Sequence, residues 1–425
     1  MAVAVHQEVE VLIEKPASGG RMIARHDGEV LLVAGAIPGE RVVAVVTRAE
    51  KRVAFADTAR VIDASPDRRA PSGDPACGGT LYSHILYERQ VRLKAEIIKD
   101  AYTRIGRIPI DDEIAVASSA EHGYRMRARF HVSEGRPGFY REGTRELCDP
   151  RQTAQLLDAS VDAVEAAVAA LQAQGIVTMS VELSENMAAD QRALHMDLRE
   201  AKPSAEALDR AIAAAALTGL TARTPENAFF SAGDPIVSDP LSSLLGGETA
   251  EGSLRRHPQS FFQGNRSLLP ALTMAVVDSV QPGAIVDLYA GVGLFAVALA
   301  ATGHTPVTAV EGDPESGKDL LRNAAPFYEQ LRVKRASVEA FLARGFSEPP
   351  ANLVIDPPRT GLSKEAGDAI AQSRAGRIIY VSCDAPTMAR DARRLLDAGY
   401  RLVSLRGFDL FPNTPHVETL AVFER

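Results

Sequence analysis

The chain has 425 residues, of which 46% are hydrophobic, with three cysteines and a formal net charge of −8. That length supports two or three cores rather than one. The acidic balance argues against a protein that holds nucleic acid mainly by neutralising phosphates, while leaving room for a local basic face.

No apolar run approaches the roughly 20 residues of a membrane span. Residues 1–14 lack the basic start and apolar centre of a secretory signal, so a cytoplasmic protein without membrane contact is expected. The three cysteines are too widely spaced to suggest a disulfide framework, and a reducing compartment would keep a nucleophilic thiol available.

Residues 1–66 read as a small all-β unit. Short β-branched runs at 9–13, 30–33 and 42–46 are broken by Gly19-Gly20, Asp27-Gly28 and Pro38-Gly39. The rhythm is that of a five-stranded barrel, a shape that often binds oligonucleotides. Residues 66–75, rich in Pro, Asp and Arg, read as a linker.

The pattern then predicts a helix over 85–106, a strand over 124–132, a helix over 154–174, strands over 177–183 and 193–198, a helix over 205–217, and a loop over 234–253. Residues 67–258 thus form a central α+β region. Arg125, Arg127, Arg129, Arg136, Arg141 and Arg145 cluster within it. They suit either a basic patch that grips folded RNA or an ordinary solvated strand face.

Past His257 the rhythm becomes strand, Gly-rich turn, helix. Apolar runs at 285–288, 307–310, 353–355 and 378–381 alternate with helical segments, as in a doubly wound parallel sheet of the α/β class. Runs at 401–411 and 416–423, joined by a short Pro-containing connection, are expected to pair antiparallel at one edge.

Three of these strands end in motifs that carry chemistry, and open α/β sheets bind ligands beyond their strand ends. Gly291-Val292-Gly293-Leu294-Phe295-Ala296 fits a G-x-G-x-x-A turn, and Glu311 lies 20 residues after Gly291, where an acid accepts from ribose hydroxyls. Glycines there also serve tight packing alone. Asp287 beside that turn repels pyrophosphate but holds an ammonium, which favours S-adenosylmethionine over a dinucleotide.

Asp356-Pro357-Pro358-Arg359-Thr360-Gly361 leaves its strand stiffly, which suits a preorganised carboxylate or a rigid turn. Many amino-directed methyltransferases carry an aromatic residue where Arg359 stands, so an exocyclic amine is not the expected target. Cys383, between Ser382 and Asp384 with Pro386 close behind, suits a covalent nucleophile for an electron-poor ring, against the alternative of a small buried hydrophobe. By period-two alternation His416 and Glu418 share one side of a strand, and either can move a proton.

Together these residues resemble the RNA uracil-5-methyltransferase family. Gly35-Ala36-Ile37-Pro38-Gly39-Glu40 resembles its N-terminal TRAM domain. Ser260-Phe261-Phe262-Gln263, residues 287–293, residues 356–361, Ser382-Cys383-Asp384 and His416-Val417-Glu418-Thr419 match its catalytic domain in order.

The resemblance implies a Rossmann-like methyltransferase domain at 259–425 behind a TRAM-like barrel at 1–66 and the central region at 67–258. It further implies that Gln263, Tyr289, Glu311 and Asp356 contact S-adenosylmethionine, that Cys383 is the nucleophile and that Glu418 is the base. A flipped uracil would lie against Phe261 or Phe262, which otherwise belong to the core. Many TRAM-bearing members use four cysteines for an iron–sulfur cluster; only Cys77 and Cys148 match here, so no cluster and no other metal is expected.

A monomer acting on RNA is expected, with ribosomal RNA favoured over transfer RNA. An RNA cytosine-5-methyltransferase is the nearest rival, but that group typically has a second cysteine in the proline motif, and residues 356–361 have none. A noncatalytic RNA-binding protein and a nicotinamide oxidoreductase are more distant readings.

Overall fold

The computed structural model describes residues 3–200, 202–247 and 250–425. Its N-terminal unit is a closed barrel of β1 (Glu8–Pro16), β2 (Met22–His26), β3 (Glu29–Ala34), β4 (Arg41–Ala49) and β5 (Val53–Asp63), in the order β1-β2-β3-β5-β4. In β1 the inward Val9, Val11 and Ile13 alternate with exposed neighbours, the period-two pattern of a strand with one buried face. Asp27 and Gly28 both take positive φ between β2 and β3, as a two-residue hairpin turn requires.

The expected linker is a packed joint rather than a free tether. Arg68 binds Glu40 and the Gly35 carbonyl of the barrel, while Arg69 binds Glu121 and Asn413. After it come α1 (Tyr87–Asp100), a π-helical turn over Ala101–Ile105, and β6 (Val116–Ala117). This segment, read from sequence as part of the central region, packs instead into the C-terminal core: Ile98, Tyr102 and Ile114 join the cluster around Tyr380, and buried Lys94 pairs with Asp409.

The central region builds a seven-stranded sheet from β7 (Arg127–Ser133), β8 (Arg136–Tyr140), β9 (Leu147–Cys148), β10 (Thr178–Glu185), β11 (Arg192–Leu198), β12 (Gly219–Arg223) and β13 (Phe229–Gly233). Helices α2 (Asp158–Gln172) and α3 (Ala205–Ala215) cover one face, over Phe130, Val181, Leu194 and Leu220. Cys77 and Cys148 form a disulfide, contrary to the expectation from spacing. Their sequence separation of 71 conceals that the turn at Cys77 pairs with Arg141, beside β9. Within the expected loop over 234–253 lie β14 (Val237–Pro240) and α4 (Leu241–Leu244), and β14 pairs with β15 (Ser253–Arg256). Residues 248 and 249 of that expected loop fall outside the described residues.

The C-terminal layer comprises α5 (Leu269–Val277), β16 (Ile285–Leu288), α6 (Leu294–Ala301), β17 (Val307–Glu311), α7 (Pro314–Ala324), β18 (Leu331–Arg335), α8 (Val338–Leu342), β19 (Asn352–Ile355), α9 (Lys364–Gln372), β20 (Arg377–Ser382), α10 (Ala385–Asp397), β21 (Arg401–Phe408) and β22 (Glu418–Glu424). The strand order is β18-β17-β16-β19-β20-β22-β21-β6. The parallel run reverses direction of travel between β16 and β19, and such a switch point opens a crevice beyond the strand ends.

β18, with the sequence Leu-Arg-Val-Lys-Arg, escaped the sequence reading because it has two apolar positions among three basic ones. The antiparallel pair β21–β22 is present, but β22 inserts next to β20, and β6 takes the edge.

Candidate active site

At the switch point lies a cavity of about 620 Å³. Its wall includes Gln263, Tyr289, Glu311, Asp356, Cys383 and Glu418, so all six candidate residues from the sequence meet in one place.

Local structure explains how each is held. The loop after β16 turns back through Gly291 and Gly293, both at positive φ, and a Cβ at Gly293 would come within 2.8 Å of Leu320. Tyr289 also has positive φ (62°), a backbone cost of about 1–3 kcal/mol of the kind that collects at functional sites. Glu311, at the end of β17, accepts from the Gly291 amide at 2.7 Å, which ties the two strand ends together.

After β19, Asp356 accepts from Gln263 Nε2 at 3.1 Å. After β20, the Asp384 side chain caps α10 by accepting from the Thr387 amide at 2.9 Å, and Pro386 fits the first turn. Cys383 is thereby fixed in a strand-to-helix turn. Tyr380 and the Leu362 amide both bind Asp391, joining this turn to the proline loop.

The electrostatics are unusual for so small a space. Asp287, in β16 and outside the cavity wall, is buried, and burial first and the Asp356 charge second raise its pKa well above the ordinary range, with the Ala296 amide opposing. Burial likewise pushes Asp356 up to about 7, with the Gln263 hydrogen bond opposing. Glu418 is raised by burial and by the Asp356 charge, while Arg359 opposes. The Cys383 thiol is pushed up to about 12 by burial first and Glu418 second, with Arg359 again pulling the other way. The cavity therefore favours a ligand that brings positive charge and hydroxyl donors.

His416 does not share a strand with Glu418. The strand starts at Glu418, and His416 sits in the preceding turn, its ring edge-on to Phe411. Burial lowers its pKa to about 4, leaving it neutral at pH 7. The two phenylalanines separate as well. Both line the cavity, but Phe262 is buried in the core beneath the Arg256 guanidinium, whereas Phe261 is 57% exposed.

The arginine cluster also splits. Arg125 and Arg127 line the cavity, Arg125 being held by Gln155 and the Arg127 carbonyl, while Arg141 pairs with Asp74 and Glu146 elsewhere. Tyr124, Gln259, Asp313, Ser316, Leu410 and Phe411 complete much of the wall and were not anticipated. Only Asp313 carried a local signal, as an Asp one residue before Pro at a helix start.

Comparison with known proteins agrees with this geometry. The family described as TRAM domain matches residues 3–59, and the family described as tRNA (Uracil-5-)-methyltransferase matches residues 349–425. The 23S rRNA (uracil(1939)-C(5))-methyltransferase RlmD of Alkalilimnicola ehrlichii is 32% identical, with 98% of this chain and 96% of that protein aligned. The protein of the same name from Methylococcus capsulatus is 30% identical over 97% of this chain and 96% of its own length. Among solved structures, the Pyrococcus abyssi tRNA (uracil-54, C5)-methyltransferase in complex with S-adenosyl-L-homocysteine superposes with a TM-score of 0.76 at 21% identity, covering 98% of this chain and all of that one.

Proposed function

Because the chain belongs to the RNA uracil-C5-methyltransferase family, we propose that it methylates carbon 5 of a uridine in RNA, through an adduct between Cys383 and carbon 6 with Glu418 as base. The observation that carries this reading is the shared cavity of Cys383, Glu418, Asp356 and Glu311. S-adenosylmethionine, when bound, supplies an electrophilic methyl group. The residues suit it: Asp356 is a buried carboxylate of the cavity wall with no cationic partner among the described residues, and Glu311 ends a strand where ribose hydroxyls are accepted.

In the resting cavity the Cys383 thiol, pushed up to about 12, holds its proton at pH 7, and burial with the Asp356 charge raises Glu418 well above the ordinary carboxylate range. The thiol proton passes to solvent before attack and Glu418 must be ionised before it acts as base, and Arg359 is the group that pulls both toward the ionised form. Thiolate attack forms the S–C6 bond and moves the C5–C6 π pair toward carbon 5 and the O4 carbonyl, making carbon 5 a nucleophile. After methylation the Glu418 carboxylate takes the carbon 5 proton. The double bond then re-forms as the S–C6 bond breaks, and the thiolate is returned.

Ribosomal RNA is the favoured substrate, supported by the relatives named for 23S rRNA and by the N-terminal barrel. Mapping 5-methyluridine in total RNA from cells with and without the gene tests it. The expected result is loss of one or more ribosomal 5-methyluridines; loss confined to transfer RNA contradicts the ribosomal assignment.

A further inference from the structure

A second cavity, of about 480 Å³, lies at the far end of β7 from the catalytic one, and nothing in the proposed reaction uses it. Its wall includes His131, Tyr140, Arg145, Met179 and Arg199. The rings of His131 and Tyr140 stack with centroids 3.9 Å apart and planes 18° from parallel, and Tyr140 stays 38% exposed. Arg145 and Arg199 are exposed and, among the described residues, pair with no carboxylate; Glu134 is the single acid in the wall.

The second cavity wraps the end of the sheet, with Val168 and Gln172 of α2 on the helix side and His131 and Tyr140 on the open side, and that open side is the face of β7 that leads to the catalytic cavity. Along β7 the side chains of Arg127, Arg129 and His131 alternate with Ala128 and Phe130, which face the helices. Arg127 lines the catalytic cavity and His131 the second one, so four residues, about 13 Å, separate the two sites. Between them Glu182 and Asp197 pair with Arg127, Arg129 and Arg223. Unbalanced positive charge therefore sits at the far end, next to an exposed aromatic ring. A ring beside unpaired guanidinium groups is the combination that holds single-stranded nucleic acid: the base stacks and the phosphate is neutralised.

Resting on the RNA substrate proposed above, we propose that this open sheet face is a track for the single strand flanking the target uridine, with an unstacked base lying on Tyr140 and its phosphates at Arg145 and Arg199. The track sets affinity and leaves the chemical step alone, because it touches no reacting atom.

The test uses the full chain and fluorescein-labelled single-stranded RNA, a 12-mer and a 3-mer, followed by anisotropy across a salt series. Tyr140→Ala is expected to weaken the 12-mer by about 10-fold, within the range measured for one stacked base, with Tyr140→Phe close to wild type and the 3-mer unaffected. Arg145→Ala with Arg199→Ala is expected to reduce the slope of log affinity against log salt by about 1 to 1.5 for the 12-mer. These arginines are exposed, so the double variant carries the test even if Tyr140→Ala folds poorly. Both variants binding the 12-mer within two-fold of wild type, or weakening the 3-mer equally, overturns the proposal. A wild type that binds the 12-mer with this dependence on Tyr140 but methylates no RNA contradicts the proposed function and leaves the track standing.

Discussion

Two buried glutamates, one in the barrel and one in the catalytic cavity, show how the same side chain is put to opposite uses. Glu40 is fully buried and accepts from the Ile37 amide at 2.9 Å, the Ser65 amide at 3.1 Å and the Arg68 guanidinium. Glu418 is equally buried, but its Oε1 has no partner among the described residues and its nearest strong influence is another acid, Asp356. Burial is the largest influence on both. The partners overcome it at Glu40, whose pKa falls below the ordinary range, and fail to do so at Glu418, whose pKa rises well above. A satisfied carboxylate holds structure together, whereas an unsatisfied one is kept ready to exchange a proton.

Substitution separates the two most sharply. Cys383→Ala should abolish turnover outright. Glu418→Gln should lower turnover by about 10²–10⁴-fold, the usual worth of a positioned base, while a methylated RNA–protein complex persists on a denaturing gel and the thermal midpoint does not fall. Glu40→Gln should do the reverse. It leaves Arg68 without its charge partner and should destabilise the barrel by about 2–4 kcal/mol, read as a lowered first thermal transition, with turnover at low temperature retained.

The pH dependence of the two sites should also have opposite signs. Glu40, with its lowered pKa, contributes stability that is present above its unfolded pKa and lost as pH falls through the folded value. Asp356 titrates near 7 in the folded chain and near 4 unfolded, so the folded state binds the extra proton in that window and stability declines as pH rises through it. Asp356→Asn should therefore raise the thermal midpoint by a few degrees at pH 8, an order-of-magnitude expectation, and by less at pH 4.5. Arg359→Ala should move the rising limb of the kcat/KM profile to higher pH, because the lost positive charge favoured ionisation of both Cys383 and Glu418. A limb that stays in place removes Arg359 from the account.

Much of the cavity was legible because its chemistry sits at strand ends, where short apolar runs announce the strand and Gly or Pro announces the turn. Residues 287–293, 356–361 and 383 fall in that class. What was hidden depends on contacts between distant segments. Nothing local told Phe261 from Phe262, and only tertiary packing, in the apolar cluster and beneath Arg256, made one of them core. His416 was drawn into a strand by alternation alone, although the turn at Asn413 and Thr414 delays pairing until Glu418. The Cys77–Cys148 pairing and the return of β6 to the C-terminal sheet likewise join segments far apart in sequence.

The covalent route is tested most directly by RNA carrying 5-fluorouridine at the target position, incubated with the enzyme and S-adenosylmethionine and followed by peptide mass spectrometry. Fluorine cannot leave as a proton does, so the account predicts a denaturation-resistant adduct at Cys383, one per chain, absent from Cys383→Ala. Full occupancy of the RNA site without any adduct, or an adduct at another residue, contradicts it.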